Sequence, residues 1–222
     1  MSRDLAERLR AIPFFAALAS DVLEELARAS IHRSFGPGEV IFMEGAPSPG
    51  LLLVEAGRVK IVKTSPQGRE HILAIIEPWE PANAVAAFTS HPNPATAIAL
   101  EPVEASILPR PAVQAVLRQQ PDFAVQVIQN MADHMVRLTE IVADLSLRTV
   151  IERLARLILD EAVDDRLERP RWYTLPELAA KLGTVPDVAQ RALARLAVDD
   201  IVTVSRREIV IRDRHALEQM RS

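Results

Sequence analysis

Glycine and proline divide this chain into three segments of different character. Six of its seven glycines lie between positions 36 and 68, and prolines recur from 78 to 111. Neither residue occurs from 122 to 169. Both residues interrupt helices and favour turns, so the first part must consist of short elements, whereas the middle can form a long helix. The distribution therefore predicts a β-rich N-terminal region followed by a mainly helical one.

Short apolar runs between the early turns predict β-strands. The runs recur at intervals of about ten residues, which is typical of an antiparallel sandwich or barrel. Two short helices, 4–12 and 20–29, are expected before them, and Ser20 or Asp21 can cap the second. The predicted strands are 40–42, 51–54, 59–62, 72–76, 95–100 and 103–108.

The helix predicted from Pro121 carries a heptad pattern. Its apolar positions alternate steps of four and three, the spacing that keeps one stripe facing a partner helix. A helix lying on its own β domain would also be amphipathic, so both interpretations stay open. The pattern ends near Ser146, which we expect to cap the next helix and act as a hinge. The stripe consists of Ala124, Ile128, Met131, Met135, Leu138, Val142 and Leu145.

Near the C-terminus, two helices are predicted on either side of a glycine. Thr174 and Glu177 have the spacing of a capping box, and Gly183 is a natural helix stop. A second helix follows over 185–198. Two helices joined in this way are typical of a helix-turn-helix. The alternating runs 201–204 and 208–211 add a two-stranded wing with a basic tip.

The exposed side of the second helix carries residue types that read base edges. Arg can pair with guanine, Gln with adenine, and Asp can accept a hydrogen bond from cytosine. Basic side chains elsewhere suit phosphates. A winged helix used only for protein contacts is the alternative. The predicted base-reading residues are Asp187, Gln190, Arg191 and Arg195, the predicted phosphate contacts are Lys181, Arg206 and Arg207, and Thr184 and Pro186 complete the predicted DNA-binding set.

Charge and composition bear on the class of protein. Positions 1–146 contain 12 Lys/Arg against 17 Asp/Glu, and 147–222 contain 14 against 13, so net charge alone does not indicate a nucleic-acid partner. The five histidines are scattered, and the sequence has no glycine-rich phosphate loop together with a carboxylate cluster. We therefore do not expect the protein to be an enzyme. The lack of cysteine excludes a cysteine-held iron–sulfur cluster. No apolar run is long enough for a membrane span, and a cytoplasmic location is expected.

The order of four short motifs resembles that of the CRP/FNR family of regulators. The motifs are FGPGEVIFMEG at 35–45, EAGRV at 55–59, GRE at 68–70 and LAAKLGT at 178–184. The resemblance implies an α+β fold with an antiparallel β-roll sensor domain like those that bind cyclic nucleotides, over 1–120. It further implies a dimerisation helix over 121–146 and a winged helix-turn-helix over 147–222. A homodimer that reads a palindromic operator in duplex DNA, with RNA polymerase as a further partner, is expected from it.

The predicted recognition helix departs from the family pattern. The family commonly has Arg or Pro, then Glu, then Ser-Arg; this chain has Pro186, Asp187, Gln190 and Arg191 there. Arg191 is therefore the residue that matches the family pattern best. Because the other positions differ, we expect an operator sequence that differs from those of the family.

The predicted effector site departs further. The segments 81–88 and 91–97 lack the Gly, Glu and Arg with which the family holds a cyclic phosphate, so cAMP and cGMP are not expected. The segment resembles that of Dnr-type nitrogen-oxide regulators, some of which bind haem. Haem, another small ligand and no ligand stay open, as does a ligand-binding module that acts through protein contacts without DNA. The candidate pocket residues are His71, Asn83, Ala84, His91 and His134.

Overall fold

The computed structural model describes residues 2–221, so Met1 and Ser222, the outer bounds of the first and last predicted domains, lie outside it. The chain forms two compact units. The first takes in residues up to Lys63 and Ala74–Leu138, and the second takes in Thr64–Leu73 and the residues from Thr139 onward. This division falls within the long helix, and the domain boundaries expected near 120 and 146 stay predictions.

The N-terminal region contains two four-stranded sheets, in the order β1-β8-β3-β6 and β2-β7-β4-β5. The pairs β1–β8, β8–β3, β3–β6, β2–β7 and β7–β4 are antiparallel. This confirms the predicted antiparallel roll, although β1 and β6 were not predicted. The strands are β1 (Ile31–Phe35), β2 (Val40–Phe42), β3 (Gly50–Ala56), β4 (Val59–Thr64), β5 (Glu70–Ile76), β6 (Pro81–Ala82), β7 (Thr96–Ala99) and β8 (Val103–Pro109).

Strand β3 is buried on both faces. Leu52 and Val54 pack with residues of the other sheet, whereas Leu51 and Leu53 pack among helices. Side chains alternate along a strand, so a central strand covered on both sides needs an unbroken apolar run. This explains why LLLV shows no polar alternation.

Helices cover the outer face of β3, among them α1 (Ser2–Ala11), α2 (Ser20–Ala29), α3 (Ala84–Phe88) and α4 (Arg110–Gln119). The predicted cap of α2 was wrong, because its N-cap is Ala19 without a side-chain hydrogen bond. Helices α3 and α4 were not predicted. The prolines of this segment predict turns and not helices, yet Pro111 lies in the first turn of α4, where no backbone donor is needed.

The long helix α5 (Pro121–Leu147) ends one residue later than expected and is followed by α6 (Val150–Glu161). The predicted cap at Ser146 was wrong. Thr149 and Glu152 form a reciprocal capping box at the start of α6. Within the described part of the chain, no helix combines the length and apolar character needed to cross a membrane.

The second unit contains its own apolar core, formed by residues such as Leu178, Leu193, Ile209 and Leu217. Strands β10 and β11 form the predicted wing, and β9, which was not predicted, pairs with β11. The final helix was also not predicted, because it is short and mostly polar. The elements are β9 (Arg166–Glu168), α7 (Leu175–Lys181), α8 (Pro186–Val198), β10 (Val202–Val204), β11 (Glu208–Ile211) and α9 (Arg214–Arg221).

Candidate nucleic-acid interface and sensor cassette

The turn between α7 and α8 is fixed by backbone hydrogen bonds. Gly183 adopts a left-handed conformation (φ 61°), its amide donates to the carbonyl of Ala180 (3.2 Å), and the Thr184 amide donates to that of Ala179 (2.9 Å). These two bonds form a Schellman motif, which satisfies the last carbonyls of a helix while turning the chain sharply. The turn therefore sets where α8 begins, and the predicted helix-turn-helix is confirmed.

Helix α8 has one buried face and one exposed face. Ala189, Ala192, Leu193 and Leu196 are buried in the core of the second unit. The exposed face contains five of the residues predicted to contact DNA: Pro186, Asp187, Gln190, Arg191 and Arg195. Their placement follows from the helical repeat, because residues three and four apart share a face.

Two arginines on that face differ in their pairing. The Nε of Arg195 donates to Asp199 Oδ2 at 2.8 Å, one turn further along α8. Among the residues that the structure describes, by contrast, none forms a hydrogen bond or ion pair with the Arg191 side chain. Arg191 is thus exposed with its five donors available to a ligand, whereas Arg195 must give up an ion pair to bind one.

Lys181 lies outside the exposed face and has a structural partner. Its Nζ is 2.5 Å from Glu161 Oε1 and 4.8 Å from the centre of the Tyr173 ring. The Tyr173 hydroxyl donates to the other oxygen of Glu161 at 3.1 Å. Burial, together with the Glu161 carboxylate, raises the pKa of Tyr173, so its proton stays in place. The Lys181 side chain is only 16% exposed, and this geometry does not support the phosphate contact predicted for it.

The wing presents its basic tip to solvent. The hydroxyl of Ser205 accepts from the amides of Arg207 (3.2 Å) and Glu208 (3.0 Å), which closes the turn between β10 and β11. Both predicted phosphate contacts of the wing, Arg206 and Arg207, are exposed. A tip fixed in this way can hold two guanidinium groups beside a phosphate backbone without first ordering a loop.

In the first unit, the segment that would face an effector is closed by side-chain amides. Asn83, in a left-handed conformation (φ 66°), places its Nδ2 at 3.1 Å from Ser48 Oγ, 3.2 Å from Gly50 O and 3.0 Å from Asn93 Oδ1. Asn93 is 2% exposed and donates to the carbonyl of Met43. Asn83 is among the residues predicted from the sequence, whereas Ser48 and Asn93 are not, since isolated small polar residues carry no pattern.

The cassette segments 81–88 and 91–97 contain no Lys or Arg side chain to balance a phosphate. The residues around Asn83 are alanines and Val85, and Pro94 and Ala95 follow the buried Asn93, so no cation in the segment can neutralise an anion. The buried Lys60 lies on β4 with its side chain on the opposite face from Val59 and Ile61, which join the core between the sheets. A buried phosphate there would lack a charged partner.

The predicted pocket histidines are not brought together. His91 is exposed, with its Nδ1 3.3 Å from Thr89 Oγ1, and His134 is exposed on α5. His71 belongs to the second unit, where its Nδ1 lies 3.0 Å from the carbonyl oxygen of Ala180. The described residues contain no group of three His, Asp or Glu side chains that could hold a metal ion.

Comparison with known proteins agrees with this arrangement. Residues 32–120 match the family model of the cyclic nucleotide-binding domain, and residues 152–220 match that of the Crp-like helix-turn-helix domain. The chain belongs to the CRP/FNR family of transcription regulators. Its Dnr-like branch stays a prediction.

Three relatives illustrate how far the likeness of this CRP/FNR protein extends. It is 26% identical to a CRP-like cAMP-activated global transcriptional regulator of Mycobacterium tuberculosis, over 82% of this chain and 84% of that one. It is 28% identical to a cyclic AMP receptor protein of Thermus thermophilus, over 96% and 98%. The fold also matches a CRP/FNR-family structure from Eubacterium rectale with a TM-score of 0.77, at 21% identity over 94% and 97%.

The different environments of Lys181 and Arg206 generate a testable prediction. Each phosphate contact adds about one to the slope of log affinity against log salt concentration. We expect Arg206→Ala to reduce the slope for duplex DNA by about one and Lys181→Met to leave it unchanged, because Glu161 holds that ammonium. Fluorescence anisotropy at several KCl concentrations measures both slopes, and thermal unfolding verifies that the variants are folded. Equal losses of slope would show that Lys181 does reach a phosphate.

Proposed function

We propose that this protein is a homodimeric transcription regulator that inserts α8 into the major groove at each half of a palindromic DNA site. The observation that carries the proposal is the exposed face of α8, where Arg191, in the second turn of the helix, has no hydrogen-bond or ion-pair partner among the described residues. A base edge is a matching partner for it.

The residues of α8 allow a specific reading of DNA. Arg191 can donate two parallel hydrogen bonds to O6 and N7 of guanine, and Gln190 can pair with adenine. Asp187, in the first turn, can accept from the amino group of cytosine. Arg206 and Arg207 of the wing then bind phosphates and fix the position of the helix. Local placement, not net charge, supplies the positive potential.

The proposed dimer uses the exposed stripe of α5. Phe123, Val127 and Met131 face the first core, which accounts for one side of the helix. On the other side, apolar residues stand in solvent: Ile128 is 66% exposed, Met135 68% and Val142 63%. These three recur every seven residues, the repeat of a two-helix seam. A second copy of the chain is the proposed occupant, since a palindromic site requires two α8 helices related by a dyad.

We also propose that the sensor region does not respond to cyclic nucleotides. The amide cluster around Asn83 and Asn93 occupies the cassette with neutral hydrogen bonds and provides no cation for a phosphate. Haem, another small ligand and no ligand at all stay alternatives predicted from the sequence.

The DNA-binding proposal is tested by Arg191→Ala. A bidentate contact to a base contributes about 1–3 kcal/mol of discrimination, so affinity for a selected genomic fragment should fall about tenfold or more, with little change for random DNA. Fluorescence anisotropy with both DNAs measures this. Arg28→Ala, which removes the same charge from an exposed position on α2, is the control and should leave both affinities unchanged. An equal loss for both DNAs would contradict a base-reading role for Arg191.

The dimer proposal is tested by Val142→Asp. A carboxylate at an apolar seam position would have to be buried without a partner, so the variant should be monomeric by light scattering coupled to size-exclusion chromatography. Gln129→Asp places the same charge on α5 at an exposed position outside the stripe, and we expect it to stay dimeric. A Val142→Asp protein with the mass of a dimer would show that the stripe does not form the interface.

The sensor proposal is tested with cAMP itself. Adding cAMP in large excess should leave the affinity for operator DNA unchanged, and isothermal titration calorimetry should detect no heat of binding. Measurable binding together with a shift in DNA affinity would contradict the proposal.

A further inference from the structure

Residues Thr64–Leu73, which we call the strap, pack within the second unit. The strap joins β4 to β5 through a tight turn, in which the Gly68 amide donates to the carbonyl of Ser65 (2.9 Å) and the Ser65 amide donates to that of Arg69 (2.8 Å). Gly68 adopts a left-handed conformation (φ 78°). The strap is thus a structured hairpin end, and the residue that contacts the helix-turn-helix lies just beyond its turn.

That contact residue is His71. Its Nδ1 lies 3.0 Å from the carbonyl oxygen of Ala180, in the last turn of α7. A carbonyl oxygen only accepts hydrogen bonds, so Nδ1 carries the proton and the ring is the corresponding tautomer. Its Nε2 is buried, and no hydrogen-bond partner for it exists within residues 2–221. The contact therefore suits a neutral imidazole.

Gly183 is the point at which the strap meets the turn between α7 and α8. A Cβ on Gly183 would lie 3.1 Å from His71 Nδ1, 3.3 Å from His71 Cε1 and 2.5 Å from Leu145 Cδ2. Only a residue without a side chain lets His71 and the end of α5 approach this turn together. The close approach and the left-handed φ both require glycine here.

Protonation of His71 opposes this contact. Burial lowers the pKa of His71 below its ordinary value of 6.5, and the charge of Arg153 on α6 lowers it further, against the opposing effect of the Ala180 hydrogen bond. The His71 imidazole binds a proton less readily when the strap is packed than when the strap is released. Packing is therefore at full strength above pH 6.5 and weakens as the pH falls below that value.

Within residues 2–221, no carboxylate raises the pKa of His71. Glu70, beside it on β5, points to the other face of the strand. Lys181, next to Ala180, pairs with Glu161, and Asp144 at the end of α5 accepts from Arg148 and Arg156. An imidazolium would meet the cation of Arg153 without an anion to balance it.

We propose that the strap is an autoinhibitory contact that holds the turn preceding α8 through His71 and that mild acid releases. The inference rests on the proposed DNA-binding function. The N-terminal end of a recognition helix enters the major groove, and the strap packs on the turn from which that end of α8 emerges. The strap leaves Pro186 and Asp187 at that end of α8 exposed, but it holds the turn and so opposes any movement of α8 that insertion into the groove requires.

The position of Leu145 also indicates that the packed strap opposes DNA binding. It belongs to the stripe proposed as the dimer seam, yet here it packs against Gly183 and is only 39% exposed. Release of the strap removes His71 from this cluster and lets Leu145 turn towards the seam. One contact thus opposes both operator binding and full pairing of α5.

Two substitutions separate the contact from its titration. The Nδ2 of asparagine can donate in place of the imidazole Nδ1 but does not titrate, so His71→Asn keeps the strap packed at every pH. His71→Ala removes the donor. Operator affinity is measured by fluorescence anisotropy, and amide hydrogen exchange is followed in residues 70–73 and 180–184, with all proteins compared at about pH 7.5 and about pH 5.5.

The wild-type protein should bind operator weakly at the higher pH and about fivefold more tightly at the lower one, the equivalent of one lost hydrogen bond. His71→Ala should bind tightly at both, and His71→Asn weakly at both. Exchange in the two segments should be faster in His71→Ala than in His71→Asn at either pH. The other histidines are shared by all three proteins, so their protonation cancels in the comparison.

Identical exchange in the three proteins would overturn the contact. Different exchange with identical operator affinities would overturn its autoinhibitory role. If none of the proteins binds DNA at any pH, the proposed DNA-binding function fails, and the exchange data alone then decide whether His71 holds the strap.

Discussion

The left-handed turn at Gly183 is the constraint on which the DNA-binding unit depends. It ends α7 through two backbone hydrogen bonds and fixes the start of α8. The absence of a Cβ also admits Leu145 and His71 to the same point. The position of the recognition helix, the end of the long helix and the strap are thus tied to one residue. A side chain there would have to separate elements that the core of the second unit otherwise holds in place.

Charge placement explains how an acidic protein can bind DNA. The net charge is −4, and many of the cations are already paired: Lys181 with Glu161, Arg156 with Asp144, and Arg214 with Asp165. Such pairs reinforce the fold but offer little to a phosphate. Cations available to a ligand therefore matter more than their total number, and Arg191 on α8 is the best placed of them.

Much of the fold could be predicted from the sequence because its signals are local. Apolar runs between glycine turns gave β2 to β5, and a stretch without glycine or proline gave α5. The failures have equally physical causes. Pro111 was interpreted as a helix breaker although it occupies a first turn, and β9 has only three residues, whose pairing with β11 depends on tertiary structure.

The candidate site divides in the same way. The exposed face of α8 follows from helical periodicity, so its residues could be identified in advance. Contacts between residues distant in sequence could not be predicted. No sequence pattern indicates that Lys181 pairs with Glu161 or that His71 contacts Ala180. The lack of Lys and Arg in the cassette could be read from the sequence. The hydrogen bonds among Ser48, Asn83 and Asn93 could not.

In the proposed function, two α8 helices related by a dyad read one palindromic site. The most direct measurement is hydroxyl-radical footprinting of the full-length protein on DNA fragments selected from a random-sequence library. Two α8 helices related by a dyad should protect a palindromic consensus in two patches about one helical turn, roughly 34 Å, apart. A single protected patch, or selected fragments without a shared palindrome, would contradict it.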